Sequence, residues 1–160
     1  MAPIDAIKKL WRSDEPAPSG YSYTVGKIAK ALKVSQSTLE AWIRRDVITE
    51  FLSEPARRKR QFHSADVAVI LIVQHLRSCG YDLDSIKPRV MDIMNALGEL
   101  WTSPSPRHCI VIWGPGKPTM RTSPEELLQS VLNFSGPIPS VVDLRFIEQS
   151  LAHTLAELDK

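Results

Sequence analysis

The chain has two cysteines in 160 residues, Cys79 and Cys109, thirty positions apart and with no CxxC or Cys/His ligand spacing around either. A structural zinc site is therefore not expected. Long apolar runs are missing too. The longest, "VAVILIV" from Val67 to Val73, falls far short of the ~20 residues needed to span a bilayer. "MAPIDAIKKLW" lacks the long apolar core of a secretion signal, so the expectation is a cytoplasmic protein of bacterial type with no membrane partner. Catalytic patterning is also lacking: no nucleophile, base and orienting acid fall in a recognisable motif. His63, His75, His108 and His153 show no pair spacing on a common helix face. "GPGKPT" (Gly114 to Thr119) lacks the G-x-x-x-x-G-K-[ST] order and puts prolines where phosphate-binding amides are needed, so it reads as a turn. No enzyme activity, metal or cofactor is expected.

What is present is an uneven charge. The net charge is +2, yet residues 21–87 hold eleven Lys/Arg against seven Asp/Glu, while residues 88–160 hold six against eight. The basic excess sits in one segment, as in a chain whose first half meets a polyanion.

The pattern of apolar residues and breakers divides the chain into a segment and linker at 1–20, a module at 21–87 and a second region at 88–160. Ile4, Ile7, Leu10 and Trp11 fit either one face of a short docking helix or a frayed tail before "SDEPAPSG". Thr24 can cap a helix carrying Val25, Ile28, Ala29 and Leu32 on one side. After "LKVS", Ser35 can cap a second helix with Leu39, Trp42 and Ile43 inward, which makes a helix-turn-helix. "TEFLSEPARRKRQFH" (Thr49 to His63) has no helical period and contains Pro55, and reads as a two-stranded wing or basic loop. His63 or Ser64 then caps a helix with Val67, Ile70, Leu71 and Leu76 as core and Gly80 as stop. "YDLDSIKP" adds a short helix ending the module. In the second region Pro88 suits the start of a helix bearing Val90, Ile93, Leu97, Leu100 and Trp101. "HCIVIW" and "KPTMR" suit two strands, and Ser123 with Glu126 forms a capping box. The last helix carries Leu144, Ile147, Leu151, Leu155 and Leu158, a stripe that its own domain or a partner chain must cover. The fold class expected is mainly α with a small β component: a winged helix-turn-helix followed by a small α+β dimerisation region.

Four ordered blocks resemble the DNA-binding domain of the mercury-resistance-regulator (MerR) family of bacterial transcription factors. "YTVGKIAKALKVSQSTL" is similar to the family's opening. "IRRDVI" sits where a basic pair and tight turn follow, "RQFHSADV" resembles R-x-Y-S-x-x-D-V, and "LRSCGYDLDSIK" resembles L-R-x-x-G-x-S-L-x-E-I-K. The resemblance covers about residues 22–87. It departs at Glu40, Ala41 and Trp42, where the family has Arg and two aromatics, at Asp46, where it has Gly, and in the wing, which lacks G-Y. "STLEAWIRRDVI" also resembles the short module of phage excisionases. Pro88, the proline-rich stretch and the strands interrupt the expected long dimerisation helix, so no effector half is carried over.

The second helix presents Gln36, Ser37, Glu40, Ala41 and Arg44, with Arg45 near its end. Gln suits adenine and Ser either base. Glu40 either accepts from a cytosine amino group or, the favoured of the two, pairs with Arg44 one turn on. Arg57, Arg58, Lys59 and Arg60 repel each other unless a polyanion neutralises them, which points to phosphate. Arg60 is the residue matching the family's wing arginine. The expected function is a sequence-specific regulator binding a two-fold operator on double-stranded DNA as a homodimer through the terminal stripe. The resemblance adds RNA polymerase as a further partner and the bacterial nucleoid as the place of action. An excisionase-like architectural DNA binder, and a protein interaction module that has lost DNA, are the alternatives.

Overall fold

Polar caps and apolar periodicity set the order of elements. The structure, a computed structural model, describes residues 22–45, 48–102, 109–112, 119–133 and 140–160. Its helices are α1 (Val25–Leu32), α2 (Gln36–Arg44), α3 (Glu54–Lys59), α4 (Ser64–Ser78), α5 (Leu83–Thr102), α6 (Pro124–Leu132) and α7 (Leu144–Leu158), with a 3-10 turn at Thr49–Phe51. Its strands are β1 (Cys109–Ile112), β2 (Thr119–Thr122) and β3 (Ser140–Asp143). The N-terminal helix expected through Ile4, Ile7, Leu10 and Trp11, and the "GPG" turn, lie outside the described residues. No helix among the described residues is long and apolar enough to cross a membrane.

The centre is α4. Every residue from Asp66 to Val73 is buried, as is Leu76, so this helix has core on almost all sides. His63, one of the two caps the sequence offered, is the N-cap, and Gly80, at φ +90°, ends the helix in a conformation that a side chain would strain. Against α4 pack α5 and α7, and α7 also lies on α1 and α5. Leu144, Ile147, Leu151, Leu155 and Leu158 are therefore interior, between 0% and 4% exposed. The stripe expected at a dimer interface is covered by α1, α4 and α5 of its own chain. Two polar ties fix this docking: the Tyr23 hydroxyl donates to Asp159 Oδ1 at 2.8 Å, and Trp101 Nε1 donates to Glu148 Oε1 at 2.8 Å.

Pro88 does not start a helix. α5 runs without a break from Leu83 to Thr102 with Pro88 inside it, so the short helix read at "YDLDSIKP" and the helix read after it are one. An interior proline removes a backbone hydrogen bond and crowds the preceding turn, costing ~3 kcal/mol. Ile86, Val90, Ile93, Leu97 and Trp101 are buried on the same helix. At ~1.5–3 kcal/mol for each large apolar side chain buried, that face outweighs the proline. The ring itself is exposed.

The sheet is antiparallel throughout, in the order β2-β1-β3, with Ile110 opposite both Arg121 and Val142. Ile110 and Val142 are buried. The hairpin of β1 and β2 was legible in the sequence, whereas β3 was not: it is four residues long, and its last residue, Asp143, is already the N-cap of α7, accepting from Arg145 N at 2.9 Å. The capping box of α6 forms as read, with Ser123 N donating to Glu126 Oε2 at 3.1 Å and Glu126 N to Ser123 Oγ at 3.2 Å.

Pro88→Ala is expected to raise stability, on the order of 1–3 kcal/mol, because it restores the helix bond without emptying the core. An unchanged or lower urea midpoint would mean that the ring has a packing role. Leu151→Asp with Leu155→Asp is expected to abolish the folded state, read as loss of cooperative thermal unfolding and of helical circular dichroism. A folded double mutant that merely changes its sedimentation would place the stripe at a surface after all.

Candidate nucleic-acid interface

The helix-turn-helix is built by its caps. Thr24 accepts from Lys27 N at 3.4 Å, and Lys33 turns the chain at φ 55°. The Lys33 N–H reaches Lys30 O at 3.2 Å and the Val34 N–H reaches Ala29 O at 3.0 Å, the paired closure of a left-handed helix end. Gln74 of α4 donates from Nε2 to the Leu32 carbonyl, tying the turn to the core. Ser35 then caps α2 by accepting from Thr38 N at 3.0 Å.

On α2 the inward residues are those expected: Leu39, Trp42 and Ile43 are buried, so Trp42 is core. Gln36, Ser37, Arg44 and Arg45 are exposed, and Glu40 and Ala41 half-buried. The partner of Glu40 is one turn earlier, not later. Gln36 Nε2 donates to Glu40 Oε1 at 2.8 Å. Arg44 has no ion pair among the described residues. The Ser37 hydroxyl lies 3.0 Å from Ser35 Oγ, so the first turn of α2 is locally ordered. At the other end Thr49 Oγ1 donates to the Ile43 carbonyl at 2.7 Å.

The segment expected to be a two-stranded wing or basic loop contains the short helix α3. Ser53 caps it, and Pro55, read as a breaker, stands in its first turn, where a proline's missing N–H costs nothing. Arg57, Arg58 and Lys59 fill its last turn, where cations complement the helix dipole. Arg60 closes it at φ 55°. All four side chains are exposed, and Arg57, Lys59 and Arg60 carry no ion pair among the described residues. The β pairing in this segment is one bridge, Tyr23 to Phe62, with Tyr23 N donating to Phe62 O at 2.8 Å and Phe62 N to Tyr23 O at 3.0 Å.

One residue that sequence reasoning passed over holds α3 in place. Asp66, 2% exposed, accepts from Ser53 N at 2.7 Å, Ser53 Oγ at 2.8 Å and His63 N at 2.7 Å. Its signal was the box spacing, an acid three residues after the cap of α4. Its bond to Ser53, thirteen residues away, had none. Ala56 and Leu52, both buried, complete the anchorage.

Residues 23–91 match the family model of the MerR HTH family regulatory protein. The match takes in α1 to α4 and the first half of α5, less than half of the chain. A search of curated proteins finds no match. The matched segment is thus similar to the helix-turn-helix of a family of regulatory proteins. Among the described residues no group of three His, Cys, Asp or Glu could hold a metal ion.

Asp66→Asn replaces one carboxylate oxygen by an NH2 group, turning hydrogens toward at least one of the three donors and removing the charge from the rest, and hydrogen bonds to a charged group contribute ~1.5–3 kcal/mol each. We expect a loss on the order of 2–4 kcal/mol in chemical denaturation, with faster amide exchange at Ala56 and Arg57. Wild-type stability in this variant would show that α3 is held by Leu52 and Ala56 alone.

Proposed function

We propose that the chain is a sequence-specific transcriptional regulator that lays the start of α2 in a major groove and sets the basic end of α3 on neighbouring phosphates. The observation carrying this reading is the exposed first turn of α2, with Gln36 and Ser37 outward while Leu39, Trp42 and Ile43 lock its back to the core. Side chains at the start of a recognition helix are the ones that reach base edges. Arg57, Arg58, Lys59 and Arg60 supply charge of the opposite sign to DNA, which fixes position without reading sequence. Arg44 and Arg45, at the far end of α2, suit the same role.

Two copies on a two-fold operator would supply the phosphate interactions that one module lacks, since specific sites are held at roughly 10⁻⁸–10⁻¹¹ M. Such pairing must use a surface other than the terminal stripe, which is interior. Contact with RNA polymerase at a promoter, and action in the bacterial cytoplasm, belong to the same proposal.

Salt dependence tests it. Binding of duplex DNA, followed by fluorescence anisotropy across a salt series, should weaken in Arg57→Gln, Lys59→Gln and Arg60→Gln on specific and unrelated duplexes alike. The slope of log affinity against log salt should fall by about 0.9 for each phosphate no longer neutralised. An unchanged slope in the triple variant rejects α3 as a phosphate clamp, and no binding by the wild-type chain at low salt rejects the reading.

A further inference from the structure

We propose that Gln36 and Glu40 act as one base-reading unit, and that the unit selects a C·G pair by gripping the amino and keto groups at its centre. The inference rests on the groove-docking reading given above, and it concerns which base pair α2 prefers.

The acid on α2 is the feature that phosphate binding leaves unexplained. Glu40 lies on the outward side of the helix and makes no ion pair with Arg44 among the described residues. Instead it accepts from Gln36 Nε2 at 2.8 Å. The Gln36 amide oxygen faces the other way, toward Gly26 of α1, where an added Cβ would come within 3.4 Å of it. Reversing the amide would set two acceptors face to face at Glu40, so the carboxylate fixes which way the amide points.

Outward, the unit therefore shows one donor and one acceptor side by side. The second Nε2 hydrogen is unused by Glu40, and the carboxylate keeps free lone pairs. The two heavy atoms are 2.8 Å apart. A Watson–Crick pair presents a matching feature in the major groove: an exocyclic amino nitrogen and a keto oxygen joined by a hydrogen bond of about 2.9 Å. Laid against each other, the four atoms close a ring. Gln36 Nε2 donates to the keto oxygen, and the free amino hydrogen of the base donates to Glu40. Each polar atom finds its complement, and the acid meets an amino group and not a phosphate.

The order of donor and acceptor limits the choice to two pairs. Cytosine or adenine must face Glu40, with guanine or thymine facing Gln36. Their neighbouring atoms separate these two. Adenine carries its N7 acceptor beside the amino group, where the carboxylate is repelled, while cytosine carries a C–H there. Guanine adds N7 as a second acceptor for the Gln36 hydrogen, while thymine offers a methyl. C·G is first and A·T second. The other two orders leave acceptor against acceptor.

The test begins with selection of bound duplexes from a randomised library by the wild-type chain, then by Gln36→Ala and Glu40→Ala, with Glu40→Gln as the isosteric control. Circular dichroism confirms that each variant is folded. Both alanine variants should relax preference at the same position, and the wild type should hold C·G there. Changing that cytosine to adenine should cost least, and changing it to thymine or guanine roughly ten- to hundredfold in affinity. Replacing it by 2-pyrimidinone, which lacks the amino group, should weaken wild-type binding and leave Glu40→Ala unchanged. Relaxation at two different positions, a preferred T·A, or indifference of the wild type to the missing amino group overturns the unit while leaving DNA binding intact. A wild-type chain that binds no duplex overturns the unit and the reading beneath it together.

Discussion

The Asp66 carboxylate, buried at the first turn of the central helix, accepts from the Ser53 backbone, the Ser53 hydroxyl and the His63 backbone. Those three bonds, with the buried Leu52 and Ala56, join α3 to α4. α3 is six residues long, below what an isolated helix needs to persist in water, and it ends in consecutive cations that repel one another. Its geometry is borrowed from α4 through the Ser53 cap. The His63 bond closes the other side, because His63 follows Phe62, whose backbone pairs with Tyr23 just ahead of α1. From one buried acid the chain thus fixes where the basic helix starts and where the helix-turn-helix begins.

The terminal helix then makes this framework stiff. Had α7 been free to meet a partner, α1 and α4 would each have lost a covering face. Instead α7 lies across α1, α4 and α5, and Asp159 near its end receives the Tyr23 hydroxyl. Residues more than a hundred positions apart in sequence meet there, and the matched module and the region beyond it share one hydrophobic core. A helix docking in a groove as proposed would gain from such backing, since positional freedom of its side chains is entropy lost on binding.

Much of this was legible in the sequence, and the misses have physical reasons. α1, α2 and α4 followed from caps and apolar spacing because Thr24, Ser35 and His63 each satisfy backbone donors that water alone would otherwise meet. Pro55 and Pro88 misled in opposite ways. A proline costs little in a first turn, as at Pro55, and can be outweighed by a buried face, as at Pro88, and spacing alone gives neither sum. The stripe from Leu144 to Leu158 was correctly read as needing cover, but periodicity cannot say which chain supplies it. Glu40 had two possible partners, one turn back and one turn on. Gln36 is already restricted by its place beside Gly26, so bonding it costs less freedom than ordering an exposed arginine.

On the proposed function, the distribution of charge over the candidate interface separates two tasks that many DNA binders combine. α3 carries its cations on a helix anchored from behind, and under the proposed function these would attract any duplex through the salt-dependent release of counterions. The front of α2 carries no cation, and its one charge, Glu40, is of the wrong sign for phosphate. If α2 docks as proposed, an acid there would be repelled by every duplex and compensated only where a base amino group meets it, so it would lower affinity for unrelated sequence more than for its site. Such an arrangement widens the gap between specific and non-specific binding without any further attraction, and that ratio, weighed against the number of competing sites, decides whether a regulator finds its operator. On this view the departure of Glu40 from the family pattern is compensated within the chain: the attraction absent from the front of α2 is supplied by Arg57 to Arg60.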